Sequence, residues 1–272
     1  MNSKTQFKLK QLMDVLAELD SVAVGFSAGV DSTLLTAAAG RSLGDRAVAV
    51  TAYSSTLPET EKQEAITIAK QLDVRHILLH IDELESTEFV ANTNQRCYYC
   101  KKTRFGTLHD WAKANGYAWV LDGANADDCK DYRPGMKAVA ELEGVRSPLL
   151  EVGLTKAEIR EISQEWNLPT WNKPSAACLS SRVAYGLEIT KERLRQIEQA
   201  EKIIKRFCKG QVRVRHHGDL ARIEVDPNDI VILAAPETAQ YVHNELKQLG
   251  FTFITLDLAG YRSGSMNAVL GK

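Results

Sequence analysis

Ser27, Asp31 and Ser32 stand together in Ser27-Ala28-Gly29-Val30-Asp31-Ser32, two hydroxyls and a carboxylate grouped around a glycine. Two further sets could do chemistry. Asp127 and Asp128 close the run Leu121-Asp122-Gly123-Ala124-Asn125-Ala126-Asp127-Asp128. Cys97, Cys100 and Cys178 are thiols, the first two in C-x-x-C spacing with Lys101 directly behind them. The first set suits an anion, because hydroxyls and backbone N–H groups at a glycine turn converge on phosphate oxygens. The second suits Mg²⁺ held against phosphates, with Gly123 permitting close approach of a nucleotide. The third is ambiguous between a redox pair, half of a zinc site and iron–sulfur ligands. Three thiolates on a [4Fe–4S] cluster would leave one iron open to an exogenous sulfide or thiolate.

The elements around these sets must position them. The serine loop follows a buried-strand run, 22–26, and opens an apolar helical pattern (Thr33, Leu34, Leu35, Ala37, Ala38). Strand, small-residue turn and helix N-terminus together favour negative charge at the turn. Further strands are expected at about 47–52, 76–81 and 119–122, with helices at about 60–72 and 99–114. Thr60 with Gln63, and Thr155 with Glu158, have capping-box spacing. Alternating strands and helices predict a Rossmann-like parallel sheet with helices on both faces. Ligands of such sheets sit beyond the carboxyl ends of the strands, where Ser27, Ala52, Ser54 and Gly123 gather. Past residue 180 the pattern changes. A helix at 191–207, strands at 212–215 and 221–225, a helix at 237–249, a strand at 251–256 and a Gly-rich tail predict a smaller α+β unit. The expected domains are 1–180 and 181–272, joined within 175–186.

Composition narrows the partners. A net charge of −1 over 272 residues argues against broad charge-driven binding to nucleic acid. No apolar run is long enough to span a membrane and the N-terminus is not a signal peptide, so a cytoplasmic protein is expected. Five cysteines in such a chain read as thiols, ligands or catalysts before disulfides. Cys208, late in an amphipathic helix, reads as a small core residue. Arg213 and Arg215 alternate with Val212 and Val214, so on a strand both guanidiniums share one face. That face suits a phosphate or carboxylate, and equally a solvated surface.

The serine loop resembles that of the PP-loop ATP pyrophosphatases, with Ala28 where that family usually has Gly. Alanine suits the position provided that its φ stays negative. The G-x-N-x-D-D stretch from Gly123 resembles a second motif of the same family. The resemblance places ATP on Ser27, Ala28, Gly29, Asp31, Ser32, Ala52, Ser54, Gly123, Asp128 and Arg133, with Mg²⁺ on Asp127 and Asp128. Over essentially the whole chain the sequence is similar to the LarE family. The similarity is carried by Asn172-Lys173, Cys178, Ser180-Ser181-Arg182, Asp131-Tyr132-Arg133-Pro134-Gly135, Val212-Arg213-Val214-Arg215 and the run from Leu256 to Gly264. It implies an ATP-dependent sulfur transferase that adenylates pyridinium-3,5-biscarboxylic acid mononucleotide and makes a thiocarboxylate for a nickel-pincer nucleotide. Some members sacrifice the sulfur of the cysteine matching Cys178; others have three cysteines, and Cys97, Cys100 and Cys178 match that [4Fe–4S] type. The family implies a catalytic role for Cys178, and the cationic Lys101 and Arg182 suit lowering a thiolate pKa or steadying developing charge. The family places Ser181, Arg182, Glu201 and Arg262 at the substrate, whose phosphate and carboxylates Arg213 and Arg215 suit, and it implies a homo-oligomer. A tRNA 2-thiolation enzyme, an amidating ligase of the NAD-synthetase kind and a non-catalytic nucleotide sensor are the rival readings.

Overall fold

The computed structural model describes residues 1–130, 134–175 and 177–270. Its strands are β1 (Val22–Gly25), β2 (Ala47–Tyr53), β3 (Arg75–His80), β4 (Trp119–Leu121), β5 (Val145–Arg146), β6 (Val212–His217), β7 (Leu220–Val225) and β8 (Phe253–Leu256). Helices α1 (Ser3–Ala17), α2 (Val30–Leu43), α3 (Glu59–Gln71), α4 (Thr87–Val90) and α5 (Arg96–Ala114) fall between or before them. They are followed by α6 (Pro134–Ala140), α7 (Pro148–Glu151), α8 (Lys156–Glu165), α9 (Lys191–Ile204), α10 (Ile230–Ala234) and α11 (Pro236–Gln248). The chain divides into two compact units, 1–83 with 97–176, and 84–96 with 177–272.

The first unit is a parallel five-stranded sheet in the order β3-β2-β1-β4-β5. Strand period explains its two covers. Val22 and Val24 join Leu12, Leu16, Leu34 and Ile159 in one buried cluster, while Ala23, Val48 and Val50 join Phe105, Leu108 and Ala112 in another. Thr155 and Glu158 form the expected capping box at the start of α8. Glu158 also takes Lys8 at 2.7 Å, tying α8 to α1. The expected box at Thr60 and Gln63 does not form. α3 begins a residue earlier, behind Pro58, whose ring supplies no side-chain acceptor, and Gln63 Nε2 donates to Glu59 Oε1 instead.

The second unit has a three-stranded sheet, β6-β7-β8, with β6 antiparallel and β8 parallel to β7. Its core gathers Ile204, Val212, Val214, Ile223, Val242, Leu246 and Phe251. Cys208 lies in it, and burial pushes its thiol up to about 11. His216 is 3% exposed, with its ring tilted on Phe251 and Nε2 2.9 Å from Gln196 Oε1. Gln196 Nε2 donates to Leu249 O, so one side chain joins α9, β6 and the turn after α11. Burial, with Arg193 and His217 adding like charge, lowers the His216 pKa to about 4.

The unfolded chain therefore binds a proton at His216 that the folded chain refuses between pH 6.5 and about 4. Stability is complete above pH 6.5 and falls as the pH drops through this window. Urea unfolding at pH 7 and pH 5 should differ by about 2 kcal/mol on this account, and His216→Gln should remove most of that difference. An unchanged slope in the variant would assign the pH dependence to other groups.

Candidate active sites in the two units

Loop 27–29 leaves the carboxyl end of β1 and enters α2. Phe26 still donates its N–H to Val50 O at 2.9 Å, and Ala28 then turns the chain with φ +53°. The condition of a negative φ, under which alanine suits this position, is thus not met. The Ala28 methyl is 1% exposed and packs with Phe26, Ala49, Ala65 and Ile68, which offsets part of the left-handed cost. Burying that methyl gains about 0.8 kcal/mol against a left-handed cost of about 1–2 kcal/mol.

The Ser32 hydroxyl closes the turn. It accepts from Ser27 N at 3.3 Å and Gly29 N at 3.2 Å, and lies 3.1 Å from Ser27 Oγ. Gly29 is extended (φ −85°) and precedes the first turn of α2, where N–H groups lack helical partners. A Cβ on Gly29 would meet only Ser27 Oγ, at 3.4 Å, so its open side can admit a ligand. Gly123 abuts the same turn, since its Cβ would sit 3.4 Å from Ser32 N.

Carboxylates and lysines surround the loop. Asn125 Nδ2 donates to Asp31 Oδ1 at 3.3 Å, and Asp128 Oδ2 accepts from Asn125 N at 3.0 Å. Asp127 Oδ2 accepts the backbone N–H of Lys156 at 2.8 Å, and the Lys156 ammonium reaches Asp31 Oδ2. Lys173 Nζ donates to Ala28 O at 3.0 Å and pairs with Glu64 at 2.7 Å. Lys156 escaped the sequence reading, although it directly follows the Thr155 cap, and Lys173 entered it only as part of the family motif.

Lys101 pairs with Asp122 Oδ1 at 2.7 Å, at the end of β4, and lies over the Phe105 ring. Gly135 sits so close to α5 that a Cβ would be 2.8 Å from Lys101 Cγ and 3.2 Å from Cys97 O. Arg104 donates to Ala52 O and pairs with the buried Glu83, fixing the end of β2. Ser54 Oγ lies 2.9 Å from Thr56 Oγ1. Arg133 lies outside the described residues.

In the second unit Cys178 precedes a 3-10 turn, Leu179–Arg182, and is half-buried. Arg182 is 2% exposed. Its Nη1 donates to Cys178 O at 2.8 Å and to Ala177 O, while Nε and Nη2 grip Glu201 at 2.9 and 3.3 Å. Ser181 Oγ donates to Cys178 O at 2.8 Å, and Glu201 Oε1 also accepts Val214 N. These residues therefore shape the cysteine turn.

Arg213 and Arg215 are both buried, so the solvated strand face is excluded. Arg215 is paired with Glu224 at 2.6 Å. Arg213 Nη1 bonds Val212 O, and its guanidinium lies over Tyr261 with no carboxylate pair among the described residues. Burial lowers its pKa, Arg182 and Arg215 adding to the effect while Glu201 and Tyr261 oppose it. Arg262 is exposed and lies 3.9 Å from Asp257. No group of three or more His, Cys, Asp or Glu is gathered as a metal site among the described residues. Cys97 and Cys100 belong to the first unit and Cys178 to the second, and none is in a disulfide.

Residues 4–115 match the family described as NAD synthase. The chain is 43% identical over 265 residues to an uncharacterized protein of Synechocystis sp., covering 97% of this chain and 98% of that one. It is 38% identical over 269 residues to the pyridinium-3,5-bisthiocarboxylic acid mononucleotide synthase of Lactiplantibacillus plantarum, covering 97% and 95%. The chain belongs to the LarE family. An uncharacterized protein of Methanocaldococcus jannaschii is 30% identical over 261 residues, covering 96% and 98%. The five-stranded parallel sheet is thus the PP-loop, NAD synthase-type domain of a LarE-family protein, followed by a smaller mixed sheet.

Ala28→Gly should change unfolding stability by no more than about 1 kcal/mol, since relief of the turn and loss of the methyl nearly cancel. Ala28→Val should lose more than about 2 kcal/mol, because a β-branched residue tolerates positive φ poorly. Urea denaturation checks both. A larger loss in the glycine variant than in the valine variant would make methyl packing, not φ, the controlling effect.

Proposed function

We propose that this protein adenylates a carboxylate of pyridinium-3,5-biscarboxylic acid mononucleotide and converts it to a thiocarboxylate, for synthesis of a nickel-pincer nucleotide. Full-length similarity to a bisthiocarboxylic acid mononucleotide synthase supports the reaction class. The observation that carries the acceptor is Arg213: a buried guanidinium, flanked by Arg182 and Arg215, whose charge lacks a carboxylate pair among the described residues. A phosphate or carboxylate supplies that missing charge with two parallel hydrogen bonds. Arg182 relates this cation to Cys178, because it influences Arg213 and holds the Cys178 carbonyl.

We assign ATP to the first unit and the acceptor to the second. Backbone N–H groups of 27–32 receive the phosphates, with Ser27, Ala28, Gly29, Asp31 and Ser32 forming the loop and Gly123 leaving room beside it. Ala52, Ser54 and Arg133 complete the nucleotide site. Asp127 and Asp128 would hold Mg²⁺; each accepts a backbone N–H at one carboxylate oxygen, a contact that fixes the orientation of the carboxylate. The substrate carboxylate attacks the α-phosphorus, the bond to the β-phosphate bridge breaks, and pyrophosphate leaves. Lys101 steadies the developing negative charge, and Arg182, paired with Glu201, holds the turn that presents Cys178. Ser181, Glu201, Arg213, Arg215 and Arg262 bind and orient the acceptor.

A sulfur nucleophile then attacks the acyl carbon and AMP departs. Cys97, Cys100 and Cys178 are the right donors for a [4Fe–4S] cluster, which would supply an open iron for a carried sulfide. In the sacrificial route the Cys178 sulfur forms a thioester. Loss of the Cys178 α-proton and cleavage of its C–S bond then leave dehydroalanine and the thiocarboxylate. We take the protein to work in the cytoplasm as a homo-oligomer on this small anion, without nucleic acid or membrane.

Oxygen-free purification, iron and labile-sulfide analysis, and protein mass after turnover test the sulfur source. Repeated turnovers with intact Cys178 support the carrier, and loss of the mass of hydrogen sulfide supports the sacrificial route. Absence of pyrophosphate release with the mononucleotide would overturn the reading altogether. Arg213→Met should raise KM for the acceptor about tenfold or more and leave KM for ATP within about twofold, consistent with loss of one charge-assisted pair. An equal rise in both would remove Arg213 from the acceptor site.

A further inference from the structure

We infer that Asn92 and Arg96 are positioning residues that lock the turn presenting Cys178, an inference that rests on the proposed role of that thiol. Segment 84–96 lies far from residue 178 in sequence, yet it belongs to the second unit. Asn92 is fully buried with φ +51°. Its Nδ2 donates to Ala184 O and Leu187 O at 2.9 Å each, with Val183 O at 3.3 Å. Its own carbonyl accepts Gly186 N, and Val90 O accepts Ile189 N at 3.0 Å. The loop that follows the cysteine turn is thereby stitched to one short segment.

Arg96 continues the brace. Its Nη1 donates to Asn92 Oδ1 at 2.7 Å and to Ser180 O at 3.0 Å, and its guanidinium lies over the Tyr185 ring at 5.3 Å. Three carbonyls at the turn therefore face two buried guanidiniums: Ala177 O and Cys178 O face Arg182, and Ser180 O faces Arg96. A left-handed, fully buried asparagine and a buried arginine cost more to fold than an apolar pair would. Their networks instead specify a single geometry. A nucleophile needs such a fixed backbone, since a misplacement of about 1 Å can cost about 10²-fold in rate. Arg96 also runs directly into Cys97, so the brace sits at the covalent root of the C-x-x-C.

The test uses the full chain as purified and follows alkylation of each cysteine by iodoacetamide with peptide mass spectrometry, with buried Cys208 reporting global opening. Arg96→Met should alkylate Cys178 at least about fivefold faster while Cys208 stays protected. Arg96→Lys, which keeps a donor for Ser180 O, should stay within about twofold of the parent. Asn92→Gly, which tolerates the positive φ but removes the side-chain donors, should reproduce the Met variant; it decides the matter if Arg96→Met exposes Cys208. Single-turnover sulfur transfer should fall about tenfold in both, with KM for ATP unchanged. Cys178 alkylation within twofold of the parent in both variants would overturn the inference. If no variant or parent transfers sulfur, the proposed function fails, and the alkylation rates still decide whether the brace sets the turn.

Discussion

β1 is hydrogen-bonded on both sides, to β2 and to β4, so its direction is fixed before the chain reaches Phe26. The chain must then enter α2 within the three residues Ser27, Ala28 and Gly29. Ala28 takes a left-handed step in that connection. The rest of the first unit's site depends on that step. It brings the Ser32 hydroxyl under the loop, and it exposes Ala28 O to Lys173. It also leaves the start of α2 open to the chain after β4, where Gly123, Asn125 and Lys156 meet Asp31.

The second unit solves a different problem, the burial of several arginines around a small sheet. Each buried guanidinium needs a partner, because an uncompensated charge in the interior is expensive. Glu201 answers Arg182 and Glu224 answers Arg215. Glu224 also receives Arg222 and Ser265, so its two oxygens are fully used. Arg213 is left with a backbone carbonyl and an aromatic face. Backbone carbonyls carry only partial charge, so an external anion is the natural complement. Arg182 and Arg215 thus have protein carboxylates as partners, and Arg213 has none among the described residues.

Periodicity made the parallel sheet legible. Val22 and Val24 against Ala23 mark a strand buried on both faces, and the structure sends them to different helical layers. The cap at Thr155 was legible because the acceptor and its glutamate act within one turn. Three things were not. The sign of φ at Ala28 is a property of the reversal demanded by β1 and α2, and residue type alone does not encode it. The burial of Arg213 and Arg215 depends on what covers β6, whereas alternation reports only that they share a face. The membership of 84–96 in the second unit has no composition break to announce it; it rests on the three carbonyls that Asn92 gathers from residues about ninety positions away.

These differences separate general from specific chemistry. In the proposed reading the loop at 27–32 receives phosphates largely through backbone N–H groups, which suit any well-placed phosphate whatever the fate of the nucleotide. The place of such a site can be read from glycine, serine and element order, even where one dihedral of the loop cannot. The proposed acceptor site rests on side-chain charges whose meaning depends on their neighbours: a guanidinium beside a glutamate is already neutralised, and one without a carboxylate is not. Arg182 shows the distinction most sharply. A positive residue beside Cys178 in sequence suggests direct help to the thiol, yet its guanidinium is spent on Glu201 and on the carbonyls of Ala177 and Cys178. Its influence on the thiol must pass through the shape of the turn, and a turn held by carbonyl contacts transmits shape only while every contact is made.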